Sequence, residues 1–346
     1  MKYDITFHPS WWHENAGIDF TQQFFDNPEY RMEADVKMRK TLYEHFGDLG
    51  IGEKDPQKRP LLGTDLLAAG YLLSELMGCG IRYQADNSPQ VECMDLDEDT
   101  IDQIQVPDLD TSEVWHRTQK QIDYLLDKYG RVETYVNLQG IQNIAMDIMG
   151  QELMVSYYTA PDEINELLKK ITKMSIEVGK RFKALSNDVS GGVTAIVRQT
   201  VPECYLTSNC SVEMISNDLY EEFLLKYDQE LADAFGNFGI HHCGKSMEHV
   251  VEGYSKVKGL TFAEVGAFSD IKTVRSHLPG IFLNARYSPV RLMNASKEDI
   301  FSEVKYLAEN GQENGQKISV SCVGIDNHVS DTQIRYFLEA CRSVEL

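Results

Sequence analysis

The chain has 346 residues, 42% hydrophobic and 25% charged, a composition typical of a globular protein with enough apolar material for a core. Its formal net charge of -21 at pH 7 disfavours nucleic acid and anionic membranes as partners. The start, MKYDITFHPSWW, lacks a signal-peptide pattern, and no apolar run approaches the ~18 residues of a membrane span. A cytoplasmic protein is therefore expected.

The first 55 residues are predicted to form a helical cap or lid on a single catalytic domain of residues 56–346. This region opens on a cluster of aromatic residues, namely Phe7, Trp11, Trp12, Phe20, Phe24, Phe25 and Tyr30. The alternative is that these rings form ordinary core or a dimer contact. The later acidic run MDLDEDTIDQIQVPDLD is expected to be a solvated loop.

From about residue 131 onward, short β-rich runs alternate with longer helical ones. The six predicted strands are RVETYVNLQG, GGVTAIVRQT, GIHHCG, GLTFAEVG, GIFLNARY and KISVSCVG. Pro161 suits the first position of the helix that follows the first of them, and Ser296 and Asp331 are predicted N-caps of the last two helices.

Successive β–α units predict parallel strands joined by right-handed crossovers. Two further strands, near residues 61–64 and 81–83, would complete eight and close a (β/α)8 TIM barrel with an N-terminal helical extension. A doubly wound open sheet is the alternative. No G-x-G-x-x-G follows an early strand, which disfavours a dinucleotide-binding domain.

The strongest chemical signal is the segment GIHHCG. In a strand, residues two apart share a face, so His241 and Cys243 point together while His242 turns towards the helical layer. Imidazole and thiolate are ligands that zinc prefers. Cys322 also ends a predicted strand, and the carboxyl ends of barrel strands converge, which makes it the predicted third ligand. Glu264 is the candidate for an exchangeable fourth ligand.

Seven cysteines, an odd number in a long chain, argue against a disulfide framework. Those outside the predicted zinc site are interpreted as packing or incidental thiols: Cys79, Cys93, Cys204, Cys210 and Cys341. A ligand role stays an alternative for Cys204 and Cys210. Buried cysteine and histidine are also common in cores, so spacing alone leaves an ordinary core as the alternative to a metal site.

From about residue 55 to its end, the chain resembles the uroporphyrinogen decarboxylase superfamily, and most of all its zinc-dependent, corrinoid-linked methyltransferases. The HHCG segment matches their H-x-C-G, and Cys322 matches their late cysteine. The segment around Asn284 and Pro289 resembles their G-N-x-x-P, with the glycine replaced. The N-terminal FHPSWWHENAG lacks the arginine pair of the decarboxylases, which disfavours the alternative function, a metal-free decarboxylase-like lyase.

The resemblance implies a zinc-dependent methyltransferase acting between a small substrate and a corrinoid (methylcobalamin or cob(I)alamin) on a separate small corrinoid protein. Anaerobic O-demethylation of methoxyaromatics is favoured, and a thiol substrate stays open. Expected substrate contacts are Asn137, Arg198, Asn284, Arg286 and Tyr287. A monomer or homodimer is expected. A third interpretation is a non-catalytic accessory protein that binds zinc or corrinoid.

Overall fold

The computed structural model describes residues 1–186 and 194–345. Its strands are β1 (Lys2–Phe7), β2 (Leu61–Gly63), β3 (Gly80–Gln84), β4 (Asn87–Glu92), β5 (Glu133–Tyr135), β6 (Tyr205–Ser208), β7 (Phe238–His241), β8 (Leu260–Val265), β9 (Phe282–Tyr287) and β10 (Ile318–Ile325).

The α-helices are α1 (Pro9–Ala16), α2 (Gln22–Asp26), α3 (Pro28–Phe46), α4 (Leu72–Leu76), α5 (Glu113–Tyr129), α6 (Ile141–Met149), α7 (Glu152–Thr159), α8 (Pro161–Ser186), α9 (Ile196–Thr200), α10 (Asn217–Leu219), α11 (Leu225–Phe235), α12 (Val251–Ser255), α13 (Ile271–His277), α14 (Pro289–Asn294), α15 (Lys297–Gly311) and α16 (Asp331–Ser343). Short 3-10 turns cover Gly47–Leu49, Glu98–Gln103 and Cys210–Met214, and a π-helical turn covers Tyr220–Leu224. Across the described residues, no helix combines the length and apolarity needed to cross a bilayer.

The main sheet contains six strands in the order β1-β10-β9-β8-β7-β6, and all neighbouring pairs are parallel. Strands β2 and β5 form a second parallel pair. A parallel bridge between Gln139, just beyond β5, and Ser208 of β6 joins this pair to the edge of the main sheet. The result is an α/β fold with a half-barrel of parallel strands, whose carboxyl ends lie on one side.

Most of the predicted strands are confirmed, as β2, β5 and β7 to β10. The strand predicted near residues 81–83 is β3, but it pairs antiparallel with β4 and adds nothing to the parallel sheet. The prediction of a strand in GGVTAIVRQT is wrong for its described part, because Ile196–Thr200 is helix α9. Residues 191–193 of that segment lie outside the described residues. Strands β1 and β6 are parallel strands that the sequence analysis missed.

The N-terminal aromatic cluster is core. Trp11 and Trp12 are 1% and 0% exposed, and the rings of Phe7 and Trp11 lie 4.0 Å apart. Helices α1 to α3 carry most of the first 55 residues, while β1 extends the main sheet beside β10. The division into a cap of residues 1–55 and a catalytic domain of residues 56–346 stays a prediction.

Two of the three predicted helix-start signals are confirmed. Pro161 begins α8, and the Ser296 side chain accepts from the backbone N–H of Asp299 at the start of α15. The prediction for Asp331 is wrong, because Ser330 caps α16 and Asp331 is its first helical residue. The Asp331 carboxylate instead contacts His45 Nδ1 at 2.6 Å, tying α16 to α3.

Candidate metal centre

Three potential metal ligands converge where β6 and β7 end. His241 is the last residue of β7, Cys243 lies two residues later, and Cys210 follows β6. One ligand atom from each lies within 4.8 Å of the others. Because β6 and β7 are parallel neighbours, the segments that leave them start side by side. The sheet therefore brings together two thiols and one imidazole from distant parts of the chain.

The two adjacent histidines point in opposite directions, as strand alternation predicts. His242 is buried, with Nδ1 at 2.9 Å from the Tyr254 hydroxyl and Nε2 at 3.1 Å from the Ser246 carbonyl. Burial lowers its pKa to about 4. Both ring nitrogens of His242 are thus engaged away from the cluster, which leaves His241 as the imidazole of the site.

A hydrogen-bonded chain runs behind His241 across four strands. His241, Glu264, Asn284 and Ser319 stand opposite one another in the register of β7, β8, β9 and β10. His241 Nδ1 contacts Glu264 Oε2, while Asn284 Nδ2 donates to Glu264 Oε1 at 3.1 Å and Ser319 Oγ donates to Asn284 Oδ1 at 3.0 Å. Thr194 Oγ1 also donates to Glu264 Oε1, at 2.9 Å. With Nδ1 engaged, Nε2 is the His241 nitrogen available to a metal.

The His241–Glu264 contact is a charged pair in the protein interior. Burial by itself would lower the pKa of the imidazole and raise that of the carboxyl. The attraction between the two groups outweighs burial: the pKa of His241 rises to about 9 and that of Glu264 falls to about 2. Glu264 is therefore a buried carboxylate that is paired with the imidazole of His241.

The two thiols of the cluster have different acidities. Their Sγ atoms lie 2.8 Å apart, and the hydrogen bond between them is the largest of the effects that lower the pKa of Cys243 well below its ordinary value. The charge of His241 adds to this effect. The same hydrogen bond, together with burial, raises the pKa of Cys210 well above its ordinary value. Cys243 is thus a thiolate, and soft anionic sulfur is what zinc binds.

Cys322 does not join this cluster. It stands opposite Tyr287 in the register of β10 and β9, and the Tyr287 ring packs against Phe337 of α16 at 5.5 Å. Directly opposed residues share a face of the sheet, so Cys322 faces the helical layer. Ser319, three residues earlier, lies on the interior face with Asn284. Cys210 stands beside His241 and Cys243 where the sequence analysis expected Cys322.

Cys243 lines two cavities. The larger cavity measures about 610 Å³ and is also lined by Cys210 and His241, with amide and hydroxyl groups that include Asn137 and Ser208. The smaller cavity measures about 370 Å³ and is lined on its other sides by residues that include Lys245, Phe268, Arg286, Tyr287, Pro289 and Val323. A metal bound at the cluster would be reachable from both.

The expected substrate contacts are dispersed. Asn137 lines the larger cavity, and Arg286 and Tyr287 line the smaller one. Asn284 is buried in the chain behind His241. Arg198 Nη2 lies 2.6 Å from the Asp65 carboxylate, away from both cavity linings. A role in substrate binding stays a prediction for all five residues.

Cys210 is the candidate ligand that the sequence suggested only as an alternative. It comes two residues after β6, the strand YLTS that was not predicted. Once that strand is recognised, the rule that polar residues beyond the carboxyl ends of parallel strands meet would place Cys210 at the site.

The parallel half-barrel, with a cluster of two thiols and an imidazole at its strand ends, defines an α/β protein with a candidate metal centre. The model of the family described as "Uroporphyrinogen decarboxylase (URO-D)" matches residues 66–344. The chain belongs to this family, as the resemblance implied.

Individual relatives agree with this assignment. The chain is similar to the methylcobamide:CoM methyltransferase MtbA of Methanosarcina mazei, with 23% identity over 69% of this chain and 68% of that protein. This distant homology agrees with the predicted methyltransferase branch. Among solved structures, a methyltransferase from Methanosarcina mazei matches with a TM-score of 0.65 and 16% identity, covering 98% of this chain and 93% of that chain.

A second solved structure shares the fold more loosely. It is a B12-independent methionine synthase from Shewanella sp. W3-18-1, which matches with a TM-score of 0.50 and 10% identity over 99% of this chain and 95% of that chain. At such identities the two structural matches establish the α/β fold.

Proposed function

We propose that the chain is a zinc-dependent methyltransferase that moves a methyl group between a small substrate and a corrinoid carried by a partner protein. The convergence of Cys210, His241 and Cys243 carries this proposal. Homology to a methylcobamide:CoM methyltransferase supports methyl as the transferred group and a corrinoid protein as the partner.

The residues present fit zinc. Two sulfur ligands and one nitrogen ligand, with a fourth position left to solvent or substrate, form one of the ligand sets found in catalytic zinc sites. Cys243 is exposed and Cys210 is half-buried, so the fourth position would face the cavities. Glu264 behind His241 matches the carboxylate–histidine arrangement that orients zinc-binding imidazoles. Glu264 and Cys322 are left out of the proposed ligand set.

Bound zinc would supply a Lewis acid that keeps a coordinated thiol deprotonated, or that stabilises the oxygen of a methyl ether as the methyl group departs. The chain's own residues set the geometry. Cys210, His241 and Cys243 would hold the metal, and Cys243 lines both cavities. Glu264 fixes the direction of the His241 ring, and Asn284 and Thr194 fix Glu264 in turn.

Two substrate types are compatible with this centre. A small thiol is supported by the name of the homologous methyltransferase. A methoxyaromatic, the type that the sequence analysis favours, is supported by Phe268, a 46% exposed ring on the wall of the smaller cavity. Transfer from a methoxyaromatic would run towards the corrinoid, and transfer to a thiol would run away from it.

We also infer that the parallel strands close into the expected eight-stranded barrel. The remaining opening lies between β1 and β2, whose pairing in the described residues is to β10 and β5. Contacts from the start of α9 reach both edges: Ala195 N–H donates to Asp4 of β1 at 3.0 Å, and Arg198 pairs with Asp65 just beyond β2. These contacts support closure at that point.

The test begins with protein purified without added metal. We expect about one zinc per chain by mass spectrometry, and a chelator that removes it should abolish methyl transfer. Methylcobalamin with small thiols, and cob(I)alamin with methoxyaromatics, are then followed by the absorbance of the corrinoid. No bound zinc, or transfer that is insensitive to zinc removal, would reject the proposal in favour of the metal-free alternative.

A further inference from the structure

We propose that the smaller cavity binds the small substrate and selects molecules with an anionic group, which Arg286 holds. This inference rests on the proposed function, because it names the substrate class of that same centre. It begins from Arg286 itself, which lines this cavity together with Cys243.

Arg286 has hydrogen-bonding capacity that the protein does not use. Its Nε and Nη2 atoms are buried and have no hydrogen-bond partner among the described residues. Burying a hydrogen-bond donor without an acceptor costs free energy, and the cost is larger for a guanidinium because it is charged. Carboxylate and sulfonate oxygens match two guanidinium nitrogens with parallel hydrogen bonds. An anionic ligand would therefore satisfy these atoms directly.

Two neighbouring strands contribute further unpartnered hydroxyls on the same face. Ser321 stands opposite Arg286 in the register of β10 and β9, and its Oγ is buried without a partner in the described part of the chain. Thr6 Oγ1 on β1 is also buried without a hydrogen-bond partner among the described residues. Thr6 stands opposite Val323, which lines the smaller cavity. Three adjacent strands thus present spare donors on the interior face of the sheet.

The charges of the two cavities differ in sign. Within the described residues, the lining of the larger cavity includes Asp147 and Glu213 and has neither lysine nor arginine. The described lining of the smaller cavity includes Arg286 and Lys245 and has no carboxylate. A locally cationic cavity in a chain of net charge -21 favours a small anion there. The larger cavity is then the one that we assign to the corrinoid.

The lining of the smaller cavity also limits the body of the ligand. Phe268 and Pro289 give it an apolar wall, and Cys243 places the proposed metal at its edge. A fitting substrate has an anionic end for Arg286, a short apolar middle, and a sulfur or ether oxygen that reaches the metal. Small mercapto acids and methoxybenzoates share this chemistry.

The test uses matched pairs of probes that differ in charge. Zinc-loaded wild-type protein is titrated calorimetrically with 3-mercaptopropionate and 3-mercapto-1-propanol, and with 4-methoxybenzoate and 4-methoxybenzyl alcohol. We expect each anion to bind about 10-fold to 100-fold more tightly than its neutral partner, the range for hydrogen bonds to charged groups. In Arg286→Gln this ratio should fall to about one, with zinc content and binding of the neutral probes unchanged.

The control variant is Arg335→Gln, which removes a guanidinium that pairs with Asp48 outside the cavity lining and should leave the ratio unchanged. Arg286→Lys keeps the charge without the paired donors and should give an intermediate ratio. Equal affinities in the wild type, or an unchanged ratio in Arg286→Gln, would overturn the inference. Titration of zinc-free protein with benzoate separates the two proposals: binding that depends on Arg286 there supports the anion site even if the methyl-transfer proposal fails.

Discussion

Glu264 stands directly opposite His241 in the register of β8 and β7, and its carboxylate contacts His241 Nδ1. The carboxylate is fully buried, so no water competes for this contact. The imidazole is thereby fixed in one orientation before any metal binds. Such an arrangement lowers the cost of forming the centre, because the ring has no rotational freedom left to lose.

Replacement of Glu264 by Gln should therefore weaken zinc binding by about 10-fold to 100-fold, the usual effect of losing such a partner. The amide can still accept from the imidazole but carries no charge. Zinc affinity is measured by competition with a chromophoric chelator. Glu252→Gln, at an exposed position on α12, is the control and should bind zinc like the wild type. Wild-type zinc affinity in Glu264→Gln would show that the contact does not support the centre.

The choice between Cys210 and Cys322 as ligand can be tested by exchanging sulfur for oxygen at each position. Cys210→Ser should purify with little zinc, since it removes one of the three clustered ligands. Cys322→Ser should keep about one zinc per chain, because Cys322 faces the helical layer. Metal analysis and thermal melting of both variants distinguish loss of a ligand from loss of folding. The opposite pattern of zinc content would restore Cys322 to the site.

These residues show what the sequence could predict. His241 ends β7 and Cys243 lies two residues later, so the local alternation of an extended chain suffices to bring them together. The face on which Cys322 lies depends on the register between β10 and β9, and a shift of one residue reverses that face. Spacing along the chain carries no information on that register.

Cys210 stayed an alternative for a different reason. Strand β6 has four buried residues and so lacks the polar–apolar alternation of a half-buried strand. The preceding IVRQT contains β-branched residues typical of strands, yet it forms helix α9. Tertiary contacts of this segment, including the hydrogen bond from Ala195 to Asp4, override its local preference.

Asp4 should make the stability of the fold depend on pH. It is half-buried on β1 and accepts from Ile5 N–H at 2.8 Å and Ala195 N–H at 3.0 Å. Burial, reinforced by the nearby Asp65 and opposed by Arg198 and these hydrogen bonds, raises its pKa to about 7.

In the unfolded chain Asp4 would lose its proton near pH 4. Between that pH and about 7 the folded state binds the extra proton, so this residue makes folding less favourable as the pH rises. The cost should level off above pH 7 at a few kcal/mol. Asp4→Asn carries no charge at this position at any pH. The free energy of unfolding of this variant, minus that of the wild type, should therefore increase between pH 4.5 and 7.5. Chemical denaturation at several pH values measures this gain, and a constant difference between the two proteins would contradict it.

Gly266 allows the loop after β8 to pass close to the loop that carries Cys243. A Cβ atom at this position would lie well inside van der Waals contact of the Gly244 carbonyl oxygen, and Gly244 directly follows Cys243. The obstacle is backbone, which cannot rotate away as a side chain can. Gly266→Ala should therefore displace the Cys243 loop, destabilise the protein by about 1–3 kcal/mol and weaken zinc binding.

The control for Gly266→Ala is Gly50→Asn. Gly50 has φ near +80° with open space around a notional Cβ, and Asn tolerates that backbone conformation. This control should keep the zinc affinity of the wild type, measured by chelator competition alongside thermal melting. If Gly266→Ala keeps the zinc affinity and the melting temperature of the wild type, the Cys243 loop can move without cost. Close packing of the two loops would then not hold the centre in place. Reduced zinc affinity with only a small fall in melting temperature would instead localise the effect of the added methyl group to the metal centre.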